Sequence, residues 1–143
     1  MIPVKIPAPL CRKLEKAART AAKASYSPYS KFRVGAAVLA GSGAIYTGTN
    51  VENASYALCN CAERTAIFTA VAAGERAVKA VVVYTPTRKA TSPCGACRQV
   101  INEFGPSALV ISVCNSTERT ATTLDRLLPA AFGPKDLSGL KKR

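Results

Sequence analysis

Cys61-Ala62-Glu63 opens, and Pro93-Cys94-Gly95-Ala96-Cys97 closes, the 37-residue stretch on which the reading of this chain turns. Its two ends offer three soft sulfur ligands from separate segments, and a carboxylate two residues from the first sulfur. Structural zinc sites usually take all four tetrahedral ligands from protein, whereas catalytic sites leave one position for water. The chain has no histidine, so any fourth protein ligand would have to be another Cys or a carboxylate. A lone C-x-x-C pair says little. C-A-E followed by P-C-x-x-C says much more. A zinc knuckle that only staples two helices is the bland alternative.

Both ends of the stretch read as helix starts. Asn60 or a neighbour is expected to cap a helix that opens at Cys61 and runs to Gly74, with small residues Ala62, Ala66, Ala70 and Ala73 for close packing. Ser92-Pro93 reads as an N-cap followed by proline at the first helical position. Cys94 and Cys97 then fall in one first turn, three apart and facing one way. Unpaired N–H groups and the helix dipole favour anions there, so these thiols should ionise readily. Arg64, the only base between Arg33 and Arg76, lies one turn from Cys61 and is expected to donate to a ligand sulfur and tune the metal. Three thiolates and an adjacent Glu match zinc deaminase logic, in which the metal activates water and a non-ligating Glu shuttles protons. Glu63 is the expected shuttle.

Composition narrows the class. A chain of 143 residues with 48% hydrophobic content fits one domain, 1–143, able to bury a real core. The longest apolar runs are strand-sized, so no membrane span is expected, and the N-terminus lacks an apolar signal core. Six Cys fit a reducing compartment and a metal better than a disulfide scaffold; a cytoplasmic location is the default. The net charge is +12, but residues 34–74 hold one base against two acids. The basic surplus lies outside the stretch that carries the chemistry. Solvated helix faces and a frayed tail near 138–143 account for it better than a nucleic-acid surface does.

Along the chain, Leu10, Leu14, Ala17 and Ala21 share a helical face, and this helix should end near Ser25. Val34–Leu39 and Ala44–Thr49 form a hairpin across Gly41-Ser42-Gly43. Asn50 and Glu52, two apart on an extended segment, point the same way and could grip adjacent hydroxyls such as a sugar's; the plainer reading is a loop whose Asn residues cap turns. Val81–Tyr84 and Leu109–Val113 are strands, Leu124–Pro129 a short helix, and Ala131–Leu137 a terminal segment. Phe32 is one of few rings placed to stack on a base. An echo of Ala62–Ala66 at Thr117–Ala121 reads as chance.

With these residues in hand, the chain resembles the cytidine deaminase family in its short form. S-P-Y-S-K-F-R-V-G-A-A at 27–37, N-V-E-N-A-S-Y at 50–56, C-N-C-A-E-R-T-A at 59–66, S-P-C-G-A-C-R-Q-V-I at 92–101 and L-L-P-A-A-F-G-P-K-D-L at 127–137 carry the resemblance, in the family's order. It implies a three-layer α/β/α sandwich around a mixed sheet of about five strands. It also implies hydrolysis of cytidine or deoxycytidine to uridine or deoxyuridine plus ammonia, by homotetramers with shared sites. By position, Cys61, Cys94 and Cys97 would bind one zinc ion per chain and Glu63 would be the acid/base. Asn50 and Glu52 would hold the ribose 3′-hydroxyl, Phe32 would stack near the base, and the Ala62 backbone would contact it. Tyr56 and Phe132 match positions whose rings complete a neighbouring subunit's pocket. Cys59 has no ligand role in the family; Cys11 and Cys114 read as small buried hydrophobes.

Two rival functions share some of these features. A polynucleotide deaminase could use the same zinc chemistry, but a carboxylate at Glu52 would repel a 3′-phosphate, and no basic-aromatic cluster marks a single-strand channel. A non-catalytic zinc module that binds nucleic acid would not need Glu63, Asn50 and Glu52 together. A nucleoside is the expected partner, not nucleic acid.

Overall fold

The computed structural model describes residues 5–139; the last residues of the expected basic tail, from 140 on, lie outside the described residues. The fold is α/β, built on one mixed sheet. Helix α1 (Ala8–Ala22) is followed by strands β1 (Gly35–Ala40) and β2 (Ile45–Thr49), a 3-10 turn at Tyr56–Leu58, and helix α2 (Ala62–Ala72). Then come β3 (Val78–Tyr84), α3 (Gly95–Phe104), β4 (Leu109–Val113), β5 (Arg119–Thr123) and two single-turn helices, α4 (Leu124–Leu127) and α5 (Pro134–Leu137). The strand order is β2-β1-β3-β4-β5. Only β3 and β4 are parallel, joined through α3; β1–β2, β1–β3 and β4–β5 are antiparallel. Among the described residues no helix is long and apolar enough to cross a membrane.

Strand β1 is buried along its whole length and splits its side chains between two cores. Ala36 and Val38 join Val81 and Val83 under α2 and α3, with Ala62, Ala66, Ile67 and Ile101. Ala37 and Leu39 join Ala80 and Val82 on the other face, under Leu14 and Ala18 of α1. The period-two alternation of a strand covered on both faces produces this division. Three layers result, with helices on either side of the sheet.

The structure shifts several expected boundaries. Helix α1 stops at Ala22 rather than near Ser25, and its most buried residues are Leu14, Ala18 and Ala22. The stripe turns by one residue from Ala17 and Ala21 because β1 comes so close. A Cβ at Gly35 would lie 1.9 Å from the Ala18 carbonyl oxygen. The turn after α1 is fixed by Ser25, which hydrogen-bonds Asn50, and by Arg33, whose Nη2 donates to the Lys23 carbonyl at 2.8 Å. Strand β5 is the element the chain reading did not place. Its Thr-rich sequence suits a strand, but it is an edge strand with three exposed residues followed by two half-buried ones, so no apolar alternation announces it.

The approach of α2 to β2 is equally tight, and it positions the metal-ligand candidates. A Cβ at Gly48 would sit 2.2 Å from the Ala66 nitrogen and 2.6 Å from the Ala62 carbonyl oxygen. Both are backbone atoms that cannot swing aside. Gly48→Ala is therefore expected to push α2 off the sheet and cost about 3 kcal/mol, the upper end of overpacking costs. That is a fall of roughly 10 °C in a thermal melt. A melting point within 2–3 °C of wild type, on the order of the shift that 1 kcal/mol gives, would mean that the helix can retreat at little cost.

Candidate metal centre and active site

Cys61 is the N-cap residue of α2 and Cys94 that of α3, both in extended geometry. For α2 the cap falls on the neighbour of Asn60, within the expectation, and for α3 it corrects the expected Ser92. Asn60 spends its side-chain amide on Thr65 Oγ1 at 3.0 Å, and its backbone pairs with Val51. Helix α3 begins two residues later than Ser92-Pro93 implied. Its first intrahelical bond runs from the Arg98 N–H to the Cys94 carbonyl at 3.0 Å, and the Pro93 carbonyl accepts from Arg98 Nε at 2.8 Å. The correction improves the site: neither Cys side chain caps its own helix. Both sulfurs are left beside the positive ends of two helices.

Cys97, fully buried one turn into α3, completes the group. The three Sγ atoms lie within 4.8 Å of one another, with Cys61 and Cys94 at 3.8 Å. Tetrahedral zinc with Zn–S bonds of about 2.3 Å requires sulfur–sulfur separations of roughly 3.8 Å. The donor set fits zinc. Without metal, Cys61 is held down at about 5, first because it accepts a hydrogen bond from Cys97 and then because of Arg64; together these outweigh its burial. Cys97, giving that bond, is pushed up.

Arg64 Nη2 lies 3.4 Å from the Cys61 sulfur. That contact, ahead of all others, holds the guanidinium charged. Its Nε is buried without a hydrogen-bond partner, so Arg64 is committed to the sulfur cluster and little else. Glu63 is only 5% exposed, and burial is the main cause that lifts its carboxyl to about 7. A buried acid that ionises near neutrality beside a metal-competent thiolate group is suited to moving protons. Ala62 is fully buried at the start of the same helix.

The Asn50–Glu52 segment lies between Tyr26 on one side and Asn60 on the other, bridged to both through Val51. It is thus placed one residue from Cys61. Both polar side chains brace the loop that precedes β1. Asn50 Oδ1 accepts from the Ser25 hydroxyl and from the Val34 N–H at 2.9 Å, and Nδ2 donates to the Phe32 carbonyl at 2.7 Å. Glu52 Oε1 accepts from the N–H groups of Tyr29 (2.9 Å) and Ser30 (3.1 Å), and Oε2 from the Ser30 hydroxyl. Glu52 and Tyr56 line one cavity of about 300 Å³ with Tyr29, Ser30 and Cys59. The Tyr29 and Tyr56 rings meet edge-on at 5.8 Å. The anchors Ser25, Tyr29 and Ser30 were missed as individual residues; the Tyr29 and Ser30 positions lay inside the quoted 27–37 stretch, with no neighbour in sequence to reveal their partners. Phe132 is 59% exposed, and its carbonyl accepts from Gln99 Nε2 of α3 at 2.9 Å.

The Ser30 hydroxyl, the Ser30 and Tyr29 N–H groups and the Lys31 charge outweigh burial and hold Glu52 below its ordinary value of 4.5. A carboxylate whose folded pKa is depressed stabilises fully above the unfolded value and loses that contribution as pH falls through the folded one. Wild type is therefore expected to melt higher than Glu52→Gln at pH 6, with the gap closing below about pH 4.5. Melting curves from pH 6 down to 2.5 test this; a gap that widens on acidification would contradict the loop anchoring.

The sheet and the thiolate cluster define a class: three-layer α/β proteins whose metal centre is assembled from the N-termini of two helices. The chain belongs to the cytidine and deoxycytidylate deaminase family, whose zinc-binding region matches residues 11–113. It is 49% identical over 127 residues to a cytidine deaminase of Sporosarcina psychrophila, covering 88% of this chain and 93% of that one. A solved cytidine deaminase from Burkholderia pseudomallei superposes with a TM-score of 0.82 at 47% identity, covering 85% of this chain and 98% of the other. The Mycobacterium tuberculosis cytidine deaminase follows at 0.75 and 38%, covering 86% and 97%. These relatives are matched over nearly their full length.

Proposed function

We propose that this chain is a cytidine deaminase, converting cytidine and deoxycytidine to uridine and deoxyuridine with release of ammonia, in pyrimidine salvage. The observation that carries the reading is the buried Glu63 beside three sulfurs that lie within 4.8 Å of one another. Cys61, Cys94 and Cys97 would hold one zinc ion per chain. When bound, zinc acts as a Lewis acid that makes water a nucleophile at neutral pH. Glu63 would carry both protons of the attacking water, the first to the ring nitrogen and the second to the departing amine, which leaves as ammonia. Arg64 draws electron density from the sulfurs, which offsets the donation of three thiolates. Asn50 and Glu52 orient the sugar: the Asn50 amide and the Glu52 carboxylate each retain hydrogen-bonding capacity beyond their loop contacts. Phe32 stacks on the base and the Ala62 backbone contacts it.

Tyr56 at 73% and Phe132 at 59% exposure are large rings that the chain itself does not cover. We read them as the parts of a homotetramer that reach a neighbour's site. The sharing of one sheet by both cores supports reading residues 1–143 as one domain. Six cysteines without a disulfide suit the cytoplasm.

The deciding experiment follows the ultraviolet change as purified protein meets cytidine, with a zinc assay on the same sample. Turnover at about one zinc per chain supports the assignment. Zinc without turnover on cytidine or deoxycytidine would reject it and direct attention to oligonucleotides.

A further inference from the structure

Helix α3 does two things at once. Its buried side carries Cys97 and Ile101 into the core. Its outer side carries Gln99 and Asn102, three residues apart and therefore on one face. Both amides converge on a single acceptor, the carbonyl of Phe132: Gln99 Nε2 at 2.9 Å and Asn102 Nδ2 at 3.2 Å. A third donor from the same helix, Arg98 Nη1, takes the Leu127 carbonyl at 2.8 Å, where the terminal segment leaves α4.

These bonds matter because the segment does not lie flush against the helix along its whole length. A cavity of about 430 Å³ lies between the second half of α3 and residues 128–135, lined by Asn102, Leu128, Ala130, Gly133 and their neighbours. The turn is also bent through Ala130 at φ 52, a left-handed conformation that an alanine keeps only where its surroundings impose it. A side chain at Gly133 would come within 3.2 Å of the Asn102 amide nitrogen. The backbone of Phe132 is thus pinned from α3 while its ring stands exposed.

We propose that Gln99 and Asn102 are positioning residues: their amides fix the Phe132 carbonyl and so set where its ring enters the nucleoside site of a neighbouring copy. This rests on the reading above that Phe132 completes such a site. It makes α3 a rigid link from the metal ligands of one chain to the substrate pocket of the next. Neither residue touches substrate; each acts through Phe132.

The test pairs Gln99→Met with Asn102→Leu, which remove the donors at similar volume, and compares them with Phe132→Ala alone and combined. The expected result is a rise in KM for cytidine of about tenfold in the double variant, with kcat within about twofold and zinc content unchanged. Combined with Phe132→Ala, the pair should add nothing further. Because the chain has no tryptophan, Phe132→Trp gives a unique fluorophore, and the donor-less pair should enlarge the fast component of its anisotropy decay. Should the double variant fold poorly, Gln99→Met alone should show a smaller shift in the same two readouts. If Phe132→Ala raises KM and the pair does not, the proposal falls and the reading of Phe132 stands. If Phe132→Ala leaves KM unchanged, that reading falls and takes the proposal with it. Loss of zinc and kcat together in the pair would show that these residues merely support the ligand helix, and would also overturn it.

Discussion

Glu63→Gln is expected to lower kcat by about a thousandfold or more while zinc stays at one ion per chain. The substitution keeps the shape of the side chain and removes its ability to take and return a proton. Glu63 is 5% exposed in the first turn of α2, two residues from Cys61 and on the same rigid element. The variant should therefore fold and bind metal as wild type does. Its metal-free form should be no less stable, because an amide is easier to bury than a carboxylate whose burial lifts it to about 7. Turnover by ultraviolet absorbance, with metal analysis on the same preparation, decides the matter. Activity within tenfold of wild type would remove Glu63 from the proton path, since positioned acid/base groups contribute at least about a hundredfold.

The second large effect is at Cys97. Cys97→Ala removes the one fully buried sulfur of the three and leaves Cys61 and Cys94 3.8 Å apart with no third thiolate. Zinc content should fall far below one per chain and turnover below detection. Metal that binds only the folded form contributes its binding free energy to stability, so the melting point should drop by roughly 10 °C or more. A chelator should lower the wild-type melting point by a similar amount and leave that of the variant unchanged. Cys59→Ala is the matched control, since its sulfur engages only the Asn53 backbone, 3.3 Å from the N–H. It should keep its zinc. A Cys97→Ala protein that retains zinc and chelator sensitivity would place the metal elsewhere.

Much of this site could be read from residue spacing. Two segments with thiols at the first turn of helices can be paired only if both helices pack on one sheet face, and the small-residue pattern of Ala62, Ala66 and Ala70 already pointed that way. The contact of Arg64 with Cys61 followed from one turn of helix. The roles of Asn50 and Glu52 were less legible. Their spacing suggested that they point together, but not that Ser25, Phe32 and Val34 would occupy most of the hydrogen-bonding capacity of Asn50, or Tyr29 and Ser30 most of that of Glu52. Those partners lie 16 to 25 residues away, and loop hydrogen bonds leave no periodic trace in sequence. The choice of Cys61 and Cys94 over Asn60 and Ser92 as cap residues was likewise tertiary, decided by where Asn60 and Arg98 spend their donors.

By itself the sequence determined the chemical inventory and its two halves, Cys61 with Glu63 and Arg64, and Cys94 with Cys97, each within one helical turn because helical periodicity is local; joining the halves was left to the sheet. It also determined most of the strands, through runs of Val, Ile and Ala that only a sheet covered on both faces can bury. Tertiary structure alone decided the edge strand β5, which has no apolar pattern to read. It also decided how closely Gly35 and Gly48 admit their helices, and the clamp that Gln99 and Asn102 place on Phe132. Each of these depends on contacts between segments distant in the chain, and such contacts take shape only once the sheet has brought the segments together.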